Sequence, residues 1–225
     1  YREWFVHFRI PSEVLQKAGL PPEITLVDSP LGPIPDGWEV KTVKDFGLVV
    51  TGKTPSKKKE ENYGPGMPFL KTPDMHGQTF ILQTNESLSE TGSSSQAKKT
   101  LPSGSICVSC IGTLGVVSIT SEPCQTNQQI NSIVLNEETT REFLFFWLRG
   151  AKQKLENLGS NGATMGNVNK SKFEGMELVS PPSDLLARHH SLTEPQFEEI
   201  QLLLRKNQNL RQTRDLLLPK LLRNK

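Results

Sequence analysis

From Phe197 onward, large or partner-seeking side chains recur at Ile200, Leu203, Asn207, Leu210, Arg214, Leu217 and Leu221, in steps that alternate three and four. A 3.5-residue period belongs to a helix built to lie along another helix. In heptad terms Ile200, Asn207, Arg214 and Leu221 take position a, and Leu203, Leu210 and Leu217 take position d. Asn207 and Arg214 stand where Ile or Val would be more stable, and a polar residue on such a seam exchanges stability for register and choice of partner. Phe197, just ahead of the first heptad, completes the helix-pairing set. Three heptads fit a pairing helix or an amphipathic helix folded back on its own domain.

The start of this helix reads from Thr193, a good N-cap, with Gln196 three residues on completing a capping-box pattern. Glu194 and Pro195 suit the first turn, one through the helix dipole and one through its fixed φ. A shorter amphipathic piece, 185–192, precedes it. A helix over 194–223 would be roughly 45 Å long. Pro219 predicts a kink or an end within 215–218.

The chain has 225 residues, room for one good-sized domain plus extensions. Hydrophobic residues make up 35% and charged residues 22%, a globular balance that argues against disorder. Net charge is only +2, so any nucleic-acid role rests on local patches. No apolar run is long enough to span a membrane, and no basic-then-apolar leader is present, so no membrane partner is expected. Cys107, Cys110 and Cys124 cannot all pair with one another, and the four histidines are not close to them in sequence. In a strand, Cys107 and Cys110 point to opposite faces, which disfavours a metal knuckle. Buried reduced thiols in a reducing, cytoplasmic setting are the reading that remains, with no metal and no cofactor.

Along the chain, 1–37 reads as a tether: an apolar anchor of Trp4, Phe5, Val6 and Phe8, then six prolines from Pro11 to Pro35. A mixed region opens at Trp38. Residues 38–46 predict a short strand or helix, 51–66 a polar basic loop, 68–71 a strand, and 86–104 a loop with a turn of helix. Strands follow at 105–111 and 116–120 around a turn at 112–115, then at 129–135. A helix is predicted over 141–158, stopped by Gly159, and a last strand over 176–179. The sum is an α+β fold: a mixed-sheet domain at 38–182 and a long helix within 183–225.

Motifs that resemble enzyme signatures do not hold up. Residues 47–54 match G-x-x-x-x-G-K-[ST], the phosphate-loop pattern. Their interior is stiff and β-branched, and Pro55 biases Thr54 away from the helix such a loop needs. Ser180, Pro181, Pro182 and Ser183 resemble an amino-methyltransferase tetrapeptide but lack its stacking aromatic. Pro73 and Asp74 are not followed by the acidic-x-Lys element of a metal nuclease. No catalytic residue is assigned. Three basic polar loops remain: Lys53, Thr54, Ser56, Lys57 and Lys58; Lys98 and Lys99; and Asn161, Thr164, Asn169 and Lys170. Lys71 at the end of its strand joins them. Lysines hold phosphates and neighbouring amides and hydroxyls read base edges, although each loop alone also fits a merely solvated surface.

Ordered along the chain are Trp4 to Phe8, then Ile34, Pro35, Asp36, Gly37 and Trp38, then Thr51 to Ser56, Phe69 to Lys71, Asp74 and Met75. Gly112 to Gly115, Thr126 to Ile130, Pro181 and Pro182, and Leu210, Arg211, Arg214 to Leu222 follow. This set resembles the specificity (S) subunit of Type I restriction–modification enzymes over almost the whole sequence, with His7 in a place where that family commonly has an acidic residue. The resemblance implies a non-catalytic subunit whose recognition domains each read half of a bipartite double-stranded DNA site. It implies paired antiparallel helices as a spacer, and methylation and restriction subunits as partners. One recognition domain and one helix then read as the C-terminal half of such a subunit, or a naturally split half. The seam of α-helical heptads would pair with the other half or with a second copy. Two alternatives stand beside this: a coiled-coil interaction protein without DNA specificity, and a fragment of a DNA methyltransferase.

Overall fold

The structure is a computed structural model describing residues 1–160 and 166–222. Residues 1–37 are docked on the domain, not free of it. Two short helices, α1 (Arg2–Phe5) and α2 (Ser12–Lys17), precede a hairpin of β1 (Leu26–Val27) and β2 (Ile34–Pro35). The prolines keep these elements short. Phe5, Leu15 and Ile34 nevertheless reach the core, and the Phe5 ring meets Phe143 edge-on at 5.0 Å.

The domain proper begins with β3 (Glu39–Thr42) and a 3-10 turn, Val43–Asp45, in which the Asp45 carboxylate accepts the Thr42 N–H at 2.7 Å. There follow β4 (Gly47–Thr51), β5 (Tyr63–Leu70), α3 (Thr72–Met75), β6 (Phe80–Ile81), β7 (Glu86–Leu88), α4 (Glu90–Ser94), β8 (Ile106–Ser109), β9 (Val117–Thr120), β10 (Gln125–Thr126) and β11 (Ile130–Leu135). Five of them form a mixed sheet in the order β4-β11-β8-β9-β6, antiparallel except for the β6–β9 pair. A second sheet, β10-β5-β7, joins a parallel and an antiparallel pair.

Both faces of the larger sheet are covered, so its central strands alternate between two apolar cores. Ile106, Val108, Ile119 and Ile133 belong to the main core with Phe143 and Leu144, whereas Val50, Cys107 and Ile130 belong to the smaller one with Leu70 and Met75. Cys107 and Cys110 thus lie on opposite faces, as the strand spacing predicts. All three cysteines are free and buried, and burial pushes the Cys107 and Cys110 thiols up to about 12.

The helix predicted over 141–158 is two helices, α5 (Arg141–Gly150) and α6 (Lys152–Gly159). Gly150 weakens the join, and Ala151 leaves helical geometry at φ −87°, ψ 12°. Then come α7 (Lys170–Glu174), β12 (Glu177–Ser180) antiparallel to β3, and α8 (Ser183–Leu222). The 40 residues of α8 make it about 60 Å long. It starts ten residues before Thr193, directly after Pro181 and Pro182. The Thr193–Gln196 capping box is therefore not formed. Thr193 Oγ1 donates to the His189 carbonyl at 2.8 Å, and Gln196 Nε2 to the Leu192 carbonyl at 3.0 Å, both inside the helix. Pro219 does not end α8 at 215–218, since the helix continues to Leu222 around the one missing donor.

Phe197 departs from its assigned role. It is only 5% exposed and packs edge-on against Phe145, Phe146 and Phe80 at 5.5, 5.6 and 6.1 Å. With Gln201, Leu204 and Gln208 it forms the face of α8 turned to the domain. The a and d positions lie on another face. Ile200, Leu203, Asn207, Leu210, Arg214, Leu217 and Leu221 are all exposed there, Leu210 by 66%.

His189, nearly two turns into the buried base of α8, is enclosed by the Trp4 and Phe5 rings at 5.8 and 4.9 Å, and neither ring nitrogen has a partner. Burial, with His190 adding, lowers its imidazole from 6.5 to about 4. Between those pH values the unfolded chain takes the proton and the folded one does not, so stability falls as pH falls through the window, by about 3 kcal/mol in all. His189→Phe should remove this component. Urea unfolding at pH 7 and pH 4.5 should show the parent losing more stability than the variant, and equal losses would contradict the assignment.

Candidate nucleic-acid interface

The first basic loop leaves the end of β4 at a backbone crossing. A Cβ at Gly52 would lie 2.1 Å from the Asn127 carbonyl oxygen and 2.2 Å from Thr126 Oγ1, so only glycine passes. Just beyond, the Lys53 N–H donates to the Thr126 carbonyl at 2.9 Å and Thr54 Oγ1 donates to Gln128 Oε1. The loop's far side is tied by Tyr63, whose hydroxyl donates to the Pro55 carbonyl at 2.8 Å, and by Asn62, whose Nδ2 donates to the Ser56 carbonyl at 3.0 Å. Lys53, Ser56, Lys57 and Lys58 project exposed from this fixed frame. No helix starts at Lys53, and residues 47–51 are strand, which removes the phosphate-loop reading structurally as well.

The end of β5 reaches the same place. The Leu70 carbonyl accepts the Asn127 N–H at 3.1 Å. Lys71 is half-buried, lies 5.6 Å above the Phe69 ring, and pairs with Glu86. Its charge is thus compensated within the chain, unlike the lysines of the first loop. The Lys71 contact, with Lys57 nearby, holds the Glu86 carboxyl below the usual carboxylate range. Asp74 closes the region by accepting from the Lys71 N–H at 2.9 Å and from Asn85 Nδ2.

Lys98 and Lys99 lie on a 3-10 turn, Ala97–Lys99. Buried Gln96 donates to Gln125 Oε1 at 2.8 Å, and Gln125 Nε2 donates to the Ser93 carbonyl and Thr100 Oγ1, both at 2.9 Å. The preceding α4 sits on the 60–62 turn at Gly92, where a Cβ would lie 2.0 Å from the Asn62 carbonyl oxygen. The second basic loop is therefore packed beside the first.

The third loop is only partly described. Asn161 and Thr164 lie outside the described residues. The Asn169 side chain caps α7, accepting the Lys172 N–H at 2.9 Å, and Lys170 pairs with Glu174 at 3.3 Å. The Gly112 N–H donates to the Gly166 carbonyl, which sets Gly166 beside the 112–115 turn. The amide-bearing Asn127, Gln128 and Gln129 are absent from the site residues that the sequence suggests, although Gln128 is exposed beside the first loop and buried Asn127 bonds Gln129 beneath it. They are tied to it by contacts such as Thr54–Gln128, 74 residues apart, which no local pattern reveals. Among the described residues there is no cluster of three or more metal-ligating side chains.

The chain is a mixed-sheet domain with lysine-bearing loops, followed by a long helix. Residues 35–184 match the family described as Type I restriction modification DNA specificity domain, and the chain belongs to that family. It is 44% identical over 191 residues to the Type I restriction enzyme HindI specificity subunit of Haemophilus influenzae, a match covering 84% of this chain and 42% of that protein. It is 26% identical over 163 residues to the MjaIX specificity subunit of Methanocaldococcus jannaschii, covering 71% and 38%. The chain thus spans about two fifths of the length of these relatives. Its fold resembles the HsdS subunit of Thermoanaerobacter tengcongensis with a TM-score of 0.57 at 15% identity, over 87% of this chain and 44% of that one. A solved chain of a type I R-M system gives a TM-score of 0.58 at 16% identity, over 88% and 47%. The family is one of specificity domains and not of catalytic ones.

Gly52→Ala should force the 52–59 loop off the 126–127 backbone and destabilise the chain by about 1–3 kcal/mol. Denaturant titration would read the change, and an unaltered midpoint would show that the crossing relaxes without cost.

Proposed function

We propose that this chain reads one half of a bipartite double-stranded DNA site and serves as a scaffold for the methylation and restriction subunits of a Type I restriction–modification complex in the cytoplasm. In this reading residues 1–37 follow the subunit's central conserved region, 38–182 are the target-recognition domain, and 183–225 are the distal helical region. The observation that carries the reading is the first lysine-bearing loop, held by long-range hydrogen bonds to Thr126 and Gln128 with the second packed beside it through Gln125, in a chain of the specificity family. Exposed lysines supply phosphate contacts, and fixed amides and hydroxyls beside them supply donors and acceptors for base edges. The chain itself does no chemistry and needs no cofactor.

The exposed a and d residues of α8 support helix pairing, with the other half of the subunit or with a second copy. Contiguous apolar surface of this kind marks an interaction site. The reading as a coiled-coil protein without DNA specificity shares this seam but leaves the organised lysine loops without a role.

Selecting bound duplexes from a random library at moderate salt tests the recognition reading, and an enriched motif is expected. Replacing Lys57 and Lys58 by Ala should weaken binding to all sequences alike. It should also flatten the slope of log affinity against log salt by about 1 for each phosphate no longer neutralised. An unchanged slope would remove these residues from the footprint. Leu210→Glu with Leu217→Glu should abolish any dimer of the chain seen by light scattering, because charges would face each other on the seam. A dimer that survives both changes pairs through another surface.

A further inference from the structure

Beside the first basic loop lies a concave surface of about 580 Å³, lined by Lys57, Glu60, Tyr63, Gly64, Pro65, Glu86 and Ser87. A bulge in β5 makes the space. Tyr63 and Met67 both face Leu88, so residues 64–66 are looped out of the ladder. Gly64 and Gly66 adopt φ of +156° and +153°, and a Cβ at Gly66 would lie 2.6 Å from the Leu88 carbonyl oxygen. One wall is the Tyr63 ring, held by its bond to the Pro55 carbonyl and edge-on to Phe69. The other carries Glu86.

Glu60 and Glu86 both place carboxylates on this surface, where they oppose the attraction of Lys57 for an anion, and of the two Glu86 is the one held by a lysine, Lys71. Resting on the DNA-reading assignment above, we propose that Glu86 is a sequence-determining residue that accepts a hydrogen bond from the exocyclic amino group of a base in the major groove, cytosine N4 above all. A carboxylate only accepts. It pairs with cytosine N4 and rejects the bare acceptors of guanine and thymine. The carboxylate thereby excludes wrong sequences by repulsion as well as selecting the right one.

Its surroundings prepare it for that role. Lys71 pairs with Glu86 from a half-buried position over the Phe69 ring, so Lys71 is a positioning residue that fixes the carboxylate and keeps it charged. The Glu86 carbonyl accepts Thr84 Oγ1 at 2.7 Å, which anchors the strand end bearing the side chain. The carboxylate remains partly open to solvent. It is therefore held in place and still reachable.

The test is selection of bound duplexes from a random library by the full chain and by Glu86→Gln, which is near-isosteric. The parent should restrict one position of its motif to cytosine by about ten- to a hundredfold. In the variant that position alone should relax or move toward adenine, which a glutamine amide pairs with in bidentate fashion. Average affinity for the library should hold or rise, because a repelling charge is gone. Lys71→Ala should relax the same position and Lys71→Arg should retain it. A Glu86→Gln motif identical to the parent's would overturn the proposal while leaving DNA recognition standing. Loss of every motif position together with thermal stability would overturn it in favour of a purely structural ion pair. A parent chain that enriches no motif would overturn the recognition reading, and Glu86's role with it.

Discussion

Glu142 is fully buried at the start of α5, and its oxygens are taken by Arg141 Nε at 2.7 Å and His190 Nδ1 at 2.6 Å. Arg141 also reaches Glu138 and Glu194, and His190 Nε2 lies 3.3 Å from Glu194. Removing one partner from such a network leaves a buried charge uncompensated, at about 3–5 kcal/mol. Swapping the whole network for apolar residues would cost far less, so what it supplies is geometry more than stability. It admits one placement of His190, and hence one direction for α8. Phe197 repeats the constraint two turns further along the same face, among Phe80, Phe145 and Phe146. Two fixed points on one stripe set both the tilt and the rotation of a helix.

That rotation decides which face of α8 remains open. The stripe through His190, Glu194, Phe197, Gln201, Leu204 and Gln208 is turned to the domain, and Gln208 Nε2 still donates to Gln83 Oε1 at 2.7 Å. Beyond Gln208 every described residue of α8 is exposed, a stretch of about 20 Å. A helix with two stripes can brace a domain and pair with another helix at once. Because the brace is rigid, the register of the pairing and the position of the loops are parts of one distance. In the proposed reading that link would set the spacing between two half-sites, and Asn207 on the seam would help to define it.

The two stripes also explain which parts of the structure are legible in the sequence. The 3.5-residue period of α8 follows from its leucines, and they lie on one exposed face. Phe197 falls on that seam by spacing alone, because a large apolar residue three positions before Ile200 fits the same period. Only the aromatic cluster under it, drawn from β6 and α5, shows that it belongs to the second stripe. Thr193 and Gln196 match a cap pattern, but a cap operates only where the preceding chain is not already helical, and Pro181–Pro182 set the start at Ser183. The strands 106–109, 117–120 and 130–135 are readable from their runs of apolar residues bounded by turn signals. The roles of Lys71 and Asn169 are not. A lysine's partner across two strands and an amide's use as a cap are decided by tertiary neighbours.

The same distinction governs the electrostatics of the interface. A net charge of +2 over 225 residues provides almost no long-range field, and salt screens what there is beyond about 8–10 Å. Attraction for a polyanion must come from where lysines are concentrated and from which of them are already paired. Lys71 and Lys170 have carboxylate partners, whereas Lys53, Lys57 and Lys58 project from a loop whose backbone is bound on both sides. Fixing that backbone in advance would lower the ordering cost of the phosphate contacts in the proposed reading. The chain therefore concentrates its rigidity beneath the loops, at Gly52, Gly92 and Gln125. Side chains at the tips can then differ in chemistry without altering the frame that presents them.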